Sequence, residues 1–146
     1  MQVEIKIDGS CTEPKVIIVT DKVTDEINGL INMLSSKAPE VIAGFYNDLA
    51  EILPPADIIR IYASGGKTLA VVGRKEYILR QRLYELEEQL NRHGFVRISN
   101  SEIINLKKVR SFDLSLSGTI SVAMSDGAVT YVSRRYVSRI KQVLGL

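Results

Sequence analysis

Residues 95–110, FVRISNSEIINLKKVR, set two amides (Asn100, Asn105) and four cations (Arg97, Lys107, Lys108, Arg110) into an apolar run. Asparagine matches the N6/N7 edge of adenine, and arginine the O6/N7 edge of guanine, each through two hydrogen bonds. Lysine and arginine also neutralise phosphates. The segment has the chemistry of groove reading combined with phosphate anchoring. Asn105, between Ile104 and Leu106, suits a buried amide that bonds loop backbone. Asn100, in a polar setting, suits readout. A second cationic cluster, Arg134, Arg135, Arg139 and Lys141, follows in a predicted final helix. There Val137, Ile140 and Leu144 form one stripe, with Arg135, Ser138, Arg139 and Gln142 opposite. An ordinary amphipathic helix with a basic exterior has the same pattern.

Competing chemistries are poorly supplied. Cys11 is the one cysteine and His93 the one histidine. Zinc-finger spacing, an internal disulfide and Cys-His or Ser-His-Asp triads are thereby excluded, and no metal or cofactor is expected. Ala63-Ser64-Gly65-Gly66-Lys67-Thr68 ends like a phosphate-binding loop. The pattern needs a further glycine at position 61, which is Ile, and a helix after the loop, where a strand is predicted. A hairpin tip carrying the cation Lys67 is the better reading, either reaching into a groove or solvated. Glu85, Glu87 and Glu88 read as a solvated helix face, with Glu88 paired to Arg92 four residues on, rather than as acid–base groups. His93 and Gly94 suit a helix C-terminus. Residues 1–94 hold 11 Lys/Arg against 14 Asp/Glu, and residues 95–146 hold 8 against 3. That asymmetry fits a polyanion on the basic third and equally fits a solvated basic surface.

The elements that must position these residues follow from periodicity and turn chemistry. Val3–Ile7 and Lys15–Thr20 read as strands around Asp8-Gly9-Ser10. A helix from Thr24 to about Ser35-Ser36 carries Ile27, Leu30, Ile31 and Leu34, and Lys37-Ala38-Pro39 breaks it. Residues 1–38 form a β-β-α extension for dimer contact or packing, and residues 39–146 the main domain. Short strands are expected at Val41–Tyr46, Asp48–Leu53, Ile58–Ala63, Thr68–Val72 and Glu76–Leu79, close enough for antiparallel pairing. Leu79, Leu83, Leu86 and Leu90 predict a helix ending at Gly94. Thr119–Met124 and Val129–Val132 form a hairpin around Asp126-Gly127. Ser133 caps the last helix. The class is α+β, mainly antiparallel β. With no signal peptide, apolar span or disulfide pattern, a cytoplasmic location is expected.

FVRISNSEIINLKKV and VSRRYVSRIKQVL, in that order after a polar-tipped strand pair and a helix ending LEEQL, resemble the LytTR pattern. The resemblance covers about residues 40–146. It implies an elongated antiparallel β core with short helices, acting as a non-enzymatic DNA-binding domain of bacterial transcription regulators. Loops rather than one recognition helix would enter successive major grooves, and two copies would bind repeated half-sites as a homodimer. Asn100 matches the family's polar reader, Arg97 the arginine before it and Arg135 the basic residue of the SRRY element. Lys67 or Thr68 stands at the first-strand tip. Asn105 matches a structural asparagine. Base readout is thus expected from Asn100, Arg135, Lys67 and Thr68. Phosphate contact is expected from Arg97, Lys107, Lys108, Arg110, Arg134 and Arg139. Residues 1–38 are too short for the receiver domain that many members carry. Stand-alone members are often paired with small membrane proteins that restrain them, a partner implied here by the resemblance alone. The rival function is a basic interaction module for an acidic protein, with a small hydrolase third.

Overall fold

Two-residue turns divide the middle of the chain into short strands. Asn47 and Asp48, with φ of 47° and 64°, join β1 (Ile42–Tyr46) to β2 (Leu49–Leu53). Gly65 and Gly66, at 58° and 76°, join β3 (Arg60–Ser64) to β4 (Lys67–Val72). Both turns have positive φ at both central residues, the type I′ geometry that matches strand twist. The computed structural model describes residues 1–34 and 41–146. The chain divides into two units, residues 1–37 and 38–146.

In the second unit, β5 (Lys75–Leu79), β6 (Phe95–Ser99) and β7 (Glu102–Asn105) complete a seven-stranded sheet of order β2-β1-β5-β4-β3-β7-β6. All of its pairings are antiparallel. A three-stranded antiparallel sheet, β10-β9-β8, comprises β8 (Val109–Asp113), β9 (Ile120–Met124) and β10 (Val129–Val132). One core holds Ile61, Ala70, Tyr77 and Ile103 with Leu83, Leu86 and Leu90 of a helix at Leu83–Leu90. The other holds Val71, Ile98 and Ile104 with Ile120, Val122, Met124 and Ile140 of the last helix, Arg134–Val143. Adjacent Ile103 and Ile104 are each fully buried. Their strand is covered on both faces, which is why its sequence is an apolar run rather than an alternation.

The expected α+β, mainly antiparallel class is the observed one, and the seven strands expected after residue 41 form within two residues of their expected bounds, whereas β6, β7 and β8 were not expected as strands. Three local readings change. Leu79, expected both to end a strand and to open the helix stripe, belongs to β5 alone, because it shares a face and a core with Tyr77 at strand period two. That helix begins at Leu83, and Glu85 accepts the Arg82 N–H at 3.2 Å. Ser133 stands at the N-cap of the last helix without a side-chain bond. Its carbonyl accepts the Tyr136 N–H instead (2.8 Å), and its own N–H donates to Ile98 O (2.9 Å).

In the first unit, the helix α1 spans Asp25–Leu34, with the Thr24 hydroxyl accepting the Ile27 N–H at 3.3 Å. The helices Leu83–Leu90 and Arg134–Val143 are α2 and α3. The Asp8 turn forms, its carboxylate accepting from Ser10 N and Oγ at 2.9 and 2.6 Å. The two strands read beside it do not form. Residues 3–7 and 15–20 join no ladder, and Val3, Ile5, Ile7 and Val19 are exposed. Alternation marks a strand only where a face is buried, and an isolated hairpin is marginal in water. The expected break at Lys37-Ala38-Pro39, like the helix end at Ser35-Ser36, lies outside the described residues.

Candidate nucleic-acid interface

The β6–β7 connection is the turn Ser99-Asn100-Ser101, built around one guanidinium. Arg97 Nε donates to Ser99 O and Nη2 to Asn100 O, both at 2.6 Å. Its Nη1 donates to Glu87 Oε2 at 3.0 Å, and the side chain is only 12% exposed. Ser99 Oγ accepts the Ser101 N–H at 3.2 Å. The rigid donor fork of arginine engages two successive carbonyls, so these bonds set the path of the turn. Asn100 itself is exposed. Its Oδ1 accepts the Tyr136 hydroxyl of α3 at 3.4 Å, which leaves the amide N–H groups toward solvent.

Two other elements meet at this end of the sheet. The Ala63 N–H donates to Ser101 O at 2.8 Å, so the β3–β4 hairpin tip lies beside the Asn100 turn. Lys67, paired with Ser64 at that tip, is exposed. Thr68 is half-buried, opposite Ala63 on one side and Leu79 on the other. The Ser133–Ile98 bond brings the N-terminus of α3 to the same end, where Arg134 and Arg135 are exposed. Lys67, Asn100, Arg134 and Arg135 therefore come together, with Thr68 recessed behind them.

The remaining cations are elsewhere. Lys107 and Lys108 occupy a 3-10 turn whose Leu106 N–H donates to Gly94 O, at the start of β6. The five residues of β6 separate them from Asn100, about 17 Å at ~3.3 Å per residue. Arg110 stays with that far end, its Nη2 donating to Ser125 O at 3.4 Å. Arg139, on the exposed side of α3, faces Glu87 Oε1 at 3.7 Å. The expected Glu88–Arg92 pair does not form; Glu87 makes the ion pairs of α2. Arg92 lies in the 3-10 turn Asn91–His93, where residues four apart no longer share a face. His93 is at the helix end, as expected, with Gly94 left-handed at φ 81°.

Asn105 is fully buried. Its Nδ2 donates to Ile58 O (2.9 Å), and its Oδ1 accepts the Lys107 N–H (3.0 Å). The structural role expected of it is the role it has. Three site-forming residues were missed. Tyr136 holds Asn100, Glu87 holds two arginines, and buried Glu102 joins the sheets by accepting Thr130 Oγ1 (2.7 Å) beside Arg60 (3.5 Å). Glu87 had a signal: it lies four residues after Leu83, on the border of the buried stripe of α2. Glu102 had none, because its partners are remote in sequence. Among the described residues, no three His, Cys, Asp or Glu side chains gather as metal ligands, and no helix is long and apolar enough to cross a membrane.

The LytTr DNA-binding domain family matches residues 50–145. The chain belongs to the LytTr family. An uncharacterized HTH-type transcriptional regulator of Staphylococcus aureus (strain NCTC 8325 / PS 47) is 31% identical over 147 residues, spanning 100% of this chain and 99% of that protein. A counterpart in strain MRSA252 is 30% identical over the same span. Among solved structures, the LytTr DNA-binding domain of a Bacillus cereus protein matches with a TM-score of 0.70 at 22% identity. It covers 75% of this chain and 100% of that domain, and it shows the LytTr fold here. The Staphylococcus relatives match over the full length of the chain, so their likeness includes the N-terminal unit.

Proposed function

We propose that this LytTr protein is a sequence-specific, duplex-DNA-binding transcription regulator that works in the cytoplasm and reads bases with the loop end of its larger sheet. The observation that carries the reading is the meeting of the Asn100 turn, the Lys67 tip and the α3 N-terminus with Arg134 and Arg135. Asn100 and Arg135 read adenine and guanine edges, with Lys67 beside them and Thr68 supporting the tip. Arg134, Lys107, Lys108 and Arg110 contact phosphates. Arg97 acts by shaping the turn, since its donors are already committed. A helix-turn-helix needs two helices joined by a short turn. Here β6 to β10 intervene between α2 and α3, which supports loop entry instead. Two copies bind repeated half-sites about 10–10.5 base pairs apart or multiples of that. The apolar face of α1 is the proposed contact between them.

The test is selection of bound sequences from a randomised duplex pool at near-physiological salt, with Asn100→Ala and Arg135→Ala in parallel. A repeated motif is expected from the parent and is lost or degraded in both variants. Asn100→Ala should weaken the selected site by about 1–3 kcal/mol and random duplex little. A parent pool that stays random would overturn the reading and turn attention to an acidic protein partner.

A further inference from the structure

α2 packs in the core opposite to that of α3, yet one of its side chains reaches two arginine-bearing elements of the interface. Glu87 is 30% exposed, and its two oxygens are divided. Oε2 accepts from Arg97 at 3.0 Å, and Oε1 faces Arg139 at 3.7 Å. Arg97 in turn holds the carbonyls of Ser99 and Asn100. Arg139 follows Arg135 by four residues, so the two share one side of α3. Resting on the DNA reading above, we infer that Glu87 is a specificity-determining positioning residue, which sets the Asn100 turn through Arg97 and the presentation of Arg135 through Arg139.

A carboxylate on a face that meets phosphates works against binding by charge alone. Its benefit must therefore lie in geometry, and the two effects have opposite signs in separate measurements. With Glu87 in place, two guanidinium groups are partly neutralised and oriented. Without it, Arg139 is free to swing toward phosphates wherever these lie, and Arg97, still bonded to Ser99 O and Asn100 O, loses the partner that fixes its third donor. Removal should raise affinity for any duplex while blurring the choice of sequence. A purely structural ion pair would instead lower the melting temperature and leave the ratio of specific to non-specific affinity unchanged.

The experiment compares parent, Glu87→Gln and Glu87→Asp in the full-length chain. Each is titrated against the duplex selected by the parent and against a scrambled duplex, over a range of salt, with folding checked by circular dichroism. For Glu87→Gln, the slope of log K against log salt on scrambled DNA should steepen by about 1, since the freed Arg139 contributes about 0.9. The specific-to-scrambled ratio should fall about tenfold, the scale of one charge-assisted hydrogen bond. Glu87→Asp keeps the charge on a shorter stem. It should leave the slope at the parent value and still lower the ratio several-fold. An unchanged ratio in both variants, or parallel loss on both duplexes with an unchanged slope, overturns the assignment. If Glu87→Gln does not fold, an unchanged ratio in Glu87→Asp overturns it alone. A parent that selects no motif removes the DNA reading first, whereas a motif retained by both variants removes only the role of Glu87.

Discussion

Asn105→Ala, set beside Asn100→Ala, separates a buried structural amide from an exposed one proposed to read bases. The side chain is fully buried and makes two good hydrogen bonds, to Ile58 O at 2.9 Å and from Lys107 N at 3.0 Å. Alanine removes both. Ile58 is itself fully buried, so its carbonyl loses a partner where water does not easily replace it. An unsatisfied buried acceptor costs about 1–3 kcal/mol. The Lys107 N–H, in an exposed residue, can turn to water, and its loss amounts to about 1 kcal/mol. Together the variant should lose about 2–4 kcal/mol. With a urea m-value of about 2 kcal/mol/M, the midpoint falls by about 1–2 M. Asn100→Ala, at an exposed site with one long bond of 3.4 Å, should stay within about 0.5 kcal/mol of the parent. The assay is equilibrium urea unfolding of both variants, followed by DNA titration under conditions where each is folded. Asn105→Ala should then retain its preference for the selected site. A stability loss below about 0.5 kcal/mol for Asn105→Ala, or a loss for Asn100→Ala as large as that for Asn105→Ala, would refute the division.

The other predictions test the anchors, the packing and the titration. Lys107→Ala should weaken selected and scrambled duplexes alike and reduce the salt slope by about 1, as measured by titration at several salt concentrations. Gly44→Ala should destabilise by about 1–3 kcal/mol in thermal or urea unfolding, because a Cβ there would meet Leu53 Cδ1 at 2.5 Å and Tyr77 Cβ at 2.8 Å. Burial, and then the hydrogen bond to Glu76, raise the Tyr62 pKa above its ordinary value near 10. The folded protein then holds that proton more tightly than the unfolded chain, so stability is complete below about pH 10 and declines as pH rises through the folded value. Tyr62→Phe should flatten that decline in unfolding curves recorded from pH 9 upward.

What could be read from the sequence depended on how far apart the deciding residues lie. β1 to β4 were legible because the turns within each pair are two residues long and use Asn-Asp or Gly-Gly, chemistry that is local, whereas β6, β7 and β8 were not read as strands. Asn105 was legible because its apolar neighbours announce burial. The strands expected at 3–7 and 15–20 failed because alternation describes a face, and no strand pairs with them. Leu79 was counted in the helix stripe as well as in its strand because a leucine ladder of period three or four can begin inside a strand of period two. The arginines were the hardest to read. Arg97, Arg135 and Arg139 are one residue type, yet two have a carboxylate partner and one is exposed without an ion pair among the described residues.

That difference decides how the basic third of the chain should be counted. Formal charge counts every Lys and Arg after residue 94 as available to a polyanion, which gives 8 cations. The structure withdraws Arg97, whose donors face Ser99, Asn100 and Glu87, and engages Arg139 with the same carboxylate. Of the rest, Arg134 and Arg135 lie at the Asn100 end of β6 and Lys107, Lys108 and Arg110 at its other end, about 17 Å away at ~3.3 Å per residue. That separation exceeds the ~12 Å width of a major groove. On the proposed reading, a turn seated at Asn100 leaves Lys107 and Lys108 to meet backbone beyond the groove it enters rather than base pairs. In that reading, position along β6, more than residue type, distinguishes the cations proposed to touch bases from those proposed to touch phosphates.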